Sequence, residues 1–442
     1  MSDTIFALAT PAGQSAIAVF RLSGNACPAL ATALSGKALT HRQLTPCVLR
    51  DEAGDSLDDA MMVYLQAPAS PTGEDVLEIH CHGSLSVLAA ISAYLSRQES
   101  VRPAQAGEFT KRAFDNGKMD LTEVEGLADL IDAQTDSQRR QALGQLKGVM
   151  RKQAMAWRGE IISLSGRLES LIDFSDEELP ETVLDEISDK RQALMAALEQ
   201  ALDDKGRGEI IRNGLRVALL GSVNAGKSTA LNALAGRPAA IVSDEAGTTR
   251  DIVEVRLDLD GVAVILQDTA GIRDEAGHVE SIGIERAKAA AAEADLVILM
   301  ADLSQDAGLI EAEAIAKDIT VPLIKIANKR DLADKDTDFG DFTPLSLHDE
   351  TDCDRLETLI AAYCKPLNHS GRQIFITRER HRLLVQKAAD ALAASMGLAV
   401  EDAPELVAEE LRIAADALGQ MTGHIDVEDI LGDIFSSFCI GK

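Results

Sequence analysis

The sequence predicts a multidomain α/β chain, with an N-terminal α+β domain, a helical domain, and an α/β domain with a mostly parallel sheet inserted into the helical one. Three changes of texture predict this. Residues 1–118 mix short β-like runs (SAIAVFRLS, DVLEIHCH) with turn residues and one amphipathic stretch. Residues 119–212 turn helical: LTEVEGLADLIDAQTDSQRRQALGQL and ISDKRQALMAALEQALDD contain no proline and repeat apolar residues every three or four positions. Residues 213–372 alternate RVALLG, VAVILQD, DLVILM and PLIKIAN with helical segments, the pattern of a parallel sheet with crossover helices. Helical texture returns over 373–442, in RERHRLLVQKAADALAASMGLA and ELVAEELRIAADALGQM. Residues 119–212 and 373–442 then form two parts of one helical domain, which requires the ends of the insertion to lie close together.

Composition narrows the function. The chain has 442 residues, 46% of them apolar, at near-zero mean hydropathy, which describes a soluble globular protein. No run of about 18 apolar residues could span a bilayer, and the N-terminal MSDTIFALATPAG has no basic region before its apolar run, so a cytoplasmic protein with no membrane partner is expected. Cysteines 27, 47, 81, 353, 364 and 439 are scattered without a Cys-x-x-Cys pair, which fits reduced thiols. Cys81 lies between His80 and His82, but neighbours on a strand face opposite ways, so it is read as structural. A net charge of −29 argues against holding nucleic acid by bulk electrostatics, so any RNA contact must be local or delegated to a partner. The stretch RRQALGQLKGVMRK (139–152) has two readings, an RNA-contacting helix face or a solvated face balancing acidic neighbours.

The chemistry is legible in the inserted segment. GSVNAGKS (221–228) follows a buried strand and precedes STALNALAG, the context of a phosphate-binding loop. Its glycines let backbone N–H groups converge on phosphate oxygens, Lys227 reaches the β and γ phosphates, and the Ser228 hydroxyl ligates Mg²⁺. The contacting run is Asn224, Ala225, Gly226, Lys227, Ser228 and Thr229. DTAG (Asp268, Thr269, Ala270, Gly271) follows the next strand; an Asp there holds Mg²⁺ through water, and the glycine leaves its N–H for the γ phosphate. NKRD follows another: Asp331 accepts both the N1–H and N2–H₂ of guanine, which adenine lacks, while Asn328 and Lys329 shape the base slot. Order and spacing make the nucleotide GTP. In SDEAGTTRD (243–251), Thr249 completes the Mg²⁺ shell when a γ phosphate is present, which makes this stretch a switch. Ile272, not a water-orienting glutamine, follows DTAG, so catalytic help comes from elsewhere. The amide of Asn224 either ligates K⁺ beside the phosphates or bonds its own loop.

GSVNAGKS, AGTTRD, DTAGIR, VESIGIERA and the terminal FSSFCIGK, with FRLSG, TGEDVLEIHCHG, RPAQAGEFTKRAF and NGKMDLTEVEGLADLIDA, resemble the MnmE (TrmE) family of tRNA modification GTPases over nearly the whole chain. The resemblance implies a folate-binding N-terminal domain, a discontinuous helical domain and an inserted Ras-like P-loop GTPase domain. It implies a homodimer that joins an FAD-dependent, MnmG-type partner in a heterotetramer. Together they install a carboxymethylaminomethyl-type group at C5 of the wobble uridine of certain tRNAs, with tRNA held directly or through the partner. The one-carbon donor would be 5,10-methylene- or 5-formyl-tetrahydrofolate. By the same resemblance K⁺ sits on Asn224 and the loop around Ser243, Glu245 and Thr248, Mg²⁺ on Ser228 and Thr249, and folate on Arg21, Glu78, Lys118 and Lys442, each of which also reads as a plain surface charge. It makes Glu280 the water-orienting residue, although an acid in the first turn of a helix reads equally well.

The sequence departs from the family pattern in places. Glu245 stands where the cation loop is commonly apolar, and the fifth G motif reads Ser346-Leu347-His348 in place of Ser-Ala-Lys, which keeps backbone contact to guanine O6 but loses a stacked Lys stem. A second function stays open here, a regulatory switch gating a ribosome or partner without covalent chemistry. The folate-like N-terminal domain and FCIGK tail favour the first.

Overall fold

The computed structural model describes residues 3–11, 13–173, 181–204, 206–241, 254–268, 291–305, 307–317, 319–334, 337–369 and 376–423, with Phe435, Phe438 and Gly441. They form two compact units: Met1–Ala128 with Gln145–Gly159 and Ala415–Lys442, and Asp129–Gly144 with Glu160–Ala414.

The first unit is built on a six-stranded sheet of β1 (Thr4–Leu8), β2 (Ser15–Ser23), β3 (Thr45–Arg50), β4 (Ser56–Leu65), β5 (Val76–Gly83) and β6 (Val101–Pro103), in the order β3-β4-β5-β2-β1-β6. All pairs are antiparallel except β1 with β6. Alternation decides the faces: Ala18, Phe20 and Leu22 of β2 and Leu77, Ile79 and Cys81 of β5 turn into a core with Leu30, Leu34, Ile91 and Leu95 of helices Cys27–Ser35 and Leu85–Ser96. Arg21, Glu78 and His80 therefore share the opposite face. Helix Leu85–Ser96 starts where Ser84 Oγ accepts the N–H of Val87. At the far end of the chain, Phe435 and Phe438 pack against Val124 and Phe114, with the Phe114 and Phe435 ring centroids 6.5 Å apart.

The second unit holds β7 (Leu215–Gly221), β8 (Glu254–Leu259), β9 (Val262–Asp268), β10 (Leu296–Asp302), β11 (Leu323–Asn328) and β12 (Thr343–Pro344), ordered β12-β11-β10-β7-β9-β8. It is parallel except for β8 against β9. The central strand β7 is apolar on both faces: Val217 and Leu219 enter one core layer and Ala218 and Leu220 the other, because helices cover both sides. Helix Glu379–Met396 packs on Glu181–Leu202, where Arg191 Nη1 donates to Ser395 O at 2.6 Å. The ends of the inserted segment meet at one carboxylate: Arg212 Nε and Arg378 Nη2 both donate to Asp129 Oδ1, at 2.8 and 2.7 Å. Arg382 ties the same seam together, donating to Glu209 and Asp204.

One polar cluster ties the edge of the first sheet to the helix after it. Arg112, 11% exposed, donates to Glu74 Oε2 (2.9 Å), Asp3 Oδ1 (2.9 Å), Glu108 Oε1 (3.2 Å) and the carbonyls of Asp3 and Ser23. Burial raises the pKa of Glu108, but bonds from Arg102, the Gln105 N–H and Arg112 outweigh it and hold the carboxyl below its usual range. A lowered folded pKa makes this stabilisation present above the unfolded pKa and lost as pH falls through the folded value. Arg112→Ala leaves the largely buried Glu74 without its cation, while Glu108 and Asp3 keep Arg102, and should cost this unit on the order of 3 kcal/mol at neutral pH. In urea titrations of the full chain the loss should shrink below about pH 4; a deficit as large at pH 3 as at pH 7 would disprove the electrostatic origin.

A candidate nucleotide-binding site

The parallel strands β7, β9, β10 and β11 all point their carboxyl ends to one edge, and β7 is flanked on one side by β9 and on the other by β10. Connections leave β7 in both directions, so a crevice opens where its C-terminal loop emerges. That loop is Ser222–Gly226, and helix Lys227–Ala235 starts directly after it. Its turn is closed by Ala225 N–H on Ser222 O at 3.2 Å. Asn224 adopts φ 64 and Gly226 φ 99. A Cβ on Gly226 would sit 2.1 Å from Asn328 Nδ2, and one on Gly221 2.3 Å from Met300 O, so glycine is required at both for the loop to lie this close to its neighbours. Lys227 is buried, and its ammonium donates to Gly221 O and Ser222 O, both at 2.9 Å, drawing the loop around itself. Ser228 is exposed and Thr229 half-buried in the first turn, where the helix-start N–H groups and the positive end of the helix dipole favour an anion.

The strand register brings the third motif beside the first. Asp302 of β10 lies opposite Asn328 of β11. Asn328 is buried and uses both ends of its amide: Nδ2 donates to Ala225 O at 2.8 Å, and Oδ1 accepts Leu347 N–H at 3.2 Å. It is thus a brace between the phosphate loop and the 346–348 loop. Lys329, at φ 64, sends its ammonium to Asp302 Oδ2 at 2.6 Å. Burial raises the pKa of Asp302, but Lys329 and the Ser304 hydroxyl and N–H outweigh this and lower it. Asp331 is exposed, and Ser346 Oγ donates to its Oδ1 at 2.6 Å, the main cause of a lowered pKa that keeps this carboxylate charged. Ser346 N–H is itself held by Asp352 Oδ2 at 2.8 Å; Leu347 is buried and His348 exposed. Asp331, Ser346 and His348 therefore come together as the motif order implies. Asp302 and Asp352, the residues that aim Lys329 and Ser346, escaped the sequence reading; an acid closing the apolar run LVILMAD is the one signal that could have marked Asp302.

Several candidates fall outside the described residues: Ser243, Glu245, Thr248, Thr249, Thr269, Ala270, Gly271, Glu280, Cys439 and Lys442, together with the side chain of Asp268. Of the N-terminal candidates, Arg21 and Glu78 are cross-strand partners whose side chains form an ion pair at 2.9 Å, so they act as one group rather than two. His80 Nε2, on the same face, is a buried atom with no hydrogen-bond partner among the described residues and lies 3.5 Å from Glu78 Oε2. The Lys118 stem runs beside Gly73, away from this pair in the chain but near the loop entering β5. In the basic stretch, Arg139 and Arg140 both pair with Asp136, three and four residues before them on the same helix, and Arg151 faces Asp120 and Glu123 at 3.5 and 3.7 Å. Those pairs favour the solvated-face reading of 139–152. Among the described residues no helix is long and apolar enough to cross a membrane.

Comparison with known proteins covers the whole chain. A family model described as the MnmE helical domain matches residues 121–439, a span that encloses the nucleotide-site strands, and one described as the GTP-binding protein TrmE N-terminus matches 4–118. Proteins named tRNA modification GTPase MnmE from Parvibaculum lavamentivorans and Paramagnetospirillum magneticum are 46% and 44% identical, each over 100% of both chains. One from Rhodopseudomonas palustris is 45% identical over 100% of this chain and 99% of its own. On these matches the chain belongs to the MnmE (TrmE) family.

Proposed function

We infer that this chain binds and hydrolyses GTP in the service of tRNA modification. One arrangement carries the reading: the Asn328 amide joins the phosphate loop at Ala225 to the loop at Leu347, so the phosphate-binding backbone and the Asp331–Ser346 pair stand on one platform. Asp331, kept ionised, accepts from the two adjacent donors of guanine, and an adenine edge would leave it unpaired. The relatives of matching length, each named a tRNA modification GTPase, support the same reading.

Ser228 and Asn224, the described members of the donor set, are hard oxygen donors suited to the ions the resemblance implies. The Ser228 hydroxyl, at the start of a helix whose N–H groups face phosphate, would hold Mg²⁺ together with Thr249; bound there, Mg²⁺ supplies charge to the β and γ oxygens. Asn224, exposed at the loop's outer corner, offers a neutral oxygen and would hold K⁺ with Ser243, Glu245 and Thr248. Lys227 contributes a fixed ammonium, and Glu280 would orient water. On the N-terminal sheet, the Arg21–Glu78 pair and the half-buried His80 share a polar face suited to a reduced folate, whose carboxylates Lys118 and Lys442 would serve. The full proposal is a cytoplasmic homodimer acting with an FAD-dependent, MnmG-type partner at C5 of wobble uridine. Mass spectrometry of wobble uridines from cells lacking this gene should show the C5 substituent missing; intact substituents would refute the assignment.

Three measurements probe the site itself. Hydrolysis in KCl should exceed hydrolysis in NaCl of equal ionic strength by about tenfold or more, because removal of a transition-state charge costs at least that much; equal rates would remove K⁺ from the mechanism. Asp331→Asn should weaken GTP binding by about 10²-fold or more and turn preference toward XTP, whose edge suits an amide. A variant that still prefers GTP would place the base elsewhere. Glu280→Ala should keep GTP affinity while lowering the single-turnover rate by about 10²-fold, and near-normal turnover would reduce Glu280 to a helix-capping role.

A further inference from the structure

Within the second unit, the β8–β9 hairpin is fastened at its tip to elements that lie far away in the chain. The tip turns through Asp260 (φ 55) and Gly261 (φ 82), closed by Gly261 N–H on Asp258 Oδ1 at 2.9 Å. Both tip carbonyls are taken: Asn368 Nδ2 donates to Asp260 O at 2.6 Å, and Ser137 N–H donates to Gly261 O at 3.3 Å. Ser137 Oγ in turn donates to Asn368 Oδ1 at 2.8 Å, which closes a ring across 231 positions of sequence. A Cβ on Gly261 would meet Ser137 Oγ at 3.0 Å and Asn368 Nδ2 at 3.2 Å, so the fit leaves little slack. Arg256 Nη1 adds a bond to Gln134 Oε1 at 3.3 Å.

The same helix, Asp136–Leu146, also holds the run-in to β7. Gln138 Nε2 donates to Arg212 O at 3.0 Å and Gln141 Nε2 to Gly208 O at 3.0 Å. It therefore grips both the helix Arg207–Asn213, which runs into β7 and so to the phosphate loop, and the β8–β9 hairpin paired along β7. In chain order the hairpin joins the 243–251 stretch to DTAG, the two segments read as sensing the γ phosphate. A shift of β9 along β7 would displace the hairpin tip relative to Arg212, both of which the helix Asp136–Leu146 holds, and packed elements answer such a displacement by switching between discrete arrangements rather than stretching. We propose that the Ser137–Asn368–Gly261 clasp transmits nucleotide state from the sheet to segment 129–144, with Ser137 and Asn368 as positioning residues that touch no nucleotide. The proposal rests on the GTP reading above.

Amide hydrogen exchange of the full-length protein, with GDP and with a non-hydrolysable GTP analogue, tests it. Wild type should show nucleotide-dependent exchange in peptides from 134–146. Ser137→Ala and Asn368→Ala should abolish that difference while fluorescent-nucleotide affinity stays within about threefold of wild type, as expected of groups that couple sites without binding the ligand. Asn368→Asp retains the acceptor for Ser137 and loses the donor to Asp260 O, so it should lose the response too, and it serves where the alanine variant fails to fold. A wild type that binds both nucleotides yet shows no difference at 134–146, or variants that keep it, would overturn the clasp alone. A wild type that binds neither nucleotide would overturn the GTP reading and the clasp's role with it.

Discussion

The candidate site depends on one amide. Asn328 closes β11 and has nowhere to turn but inward, because its strand is buried between β10 and the short β12. There its two polar ends must both be satisfied, since a buried amide left half-paired costs on the order of 1–3 kcal/mol. The available partners are the Ala225 carbonyl and the Leu347 N–H, and they lie on the two loops that a nucleotide would join. The requirement propagates outward. Gly226 can carry no Cβ because Asn328 Nδ2 occupies that space, and the glycine in turn lets Lys227 begin its helix where its ammonium reaches back over the loop.

Around that brace the ionised groups are arranged in layers. Asp302 and Asp352 are buried, and each fixes a group that faces the crevice: Asp302 takes Lys329, and Asp352 takes the Ser346 N–H. Ser346 then holds Asp331 from the side, leaving that exposed carboxylate ordered but with lone pairs to offer. Burying the carboxylates that position and exposing the one that recognises is sound electrostatics, because the desolvation cost is met by fixed partners before any ligand arrives.

Much of this was legible in the sequence because it is local. Apolar runs of strand length followed by Gly-rich or Asn-Lys turns name strand ends without any knowledge of pairing, and all three motif starts fall at strand ends. What was not legible is pairing across long stretches of chain. Arg21 and Glu78, 57 positions apart, read in the sequence as two independent charges, whereas the antiparallel register of β2 and β5 makes them each other's partners. The role of Asn328 as a brace needed the β10–β11 register. Asp136 is the exception that shows the rule: its pairs with Arg139 and Arg140 follow from helical spacing alone.

The same distinction bears on how such a chain can carry an inserted domain. Arg212, just before β7, and Arg378, just before helix Glu379–Met396, share the single carboxylate oxygen of Asp129, and Arg382 reaches back to Glu209 and Asp204. Two cations on one oxygen repel unless the anion and its other partners hold them, so the geometry persists only while both chain ends stay at Asp129. That makes the junction a pinned one: displacement within the sheet cannot be absorbed by the ends of the segment drifting apart. It has to emerge elsewhere, at contacts made of single hydrogen bonds between neutral groups, which break at far lower cost than the ion pairs. Within this unit the hairpin tip at Asp260 and Gly261 is joined to Ser137 and Asn368 by contacts of that kind.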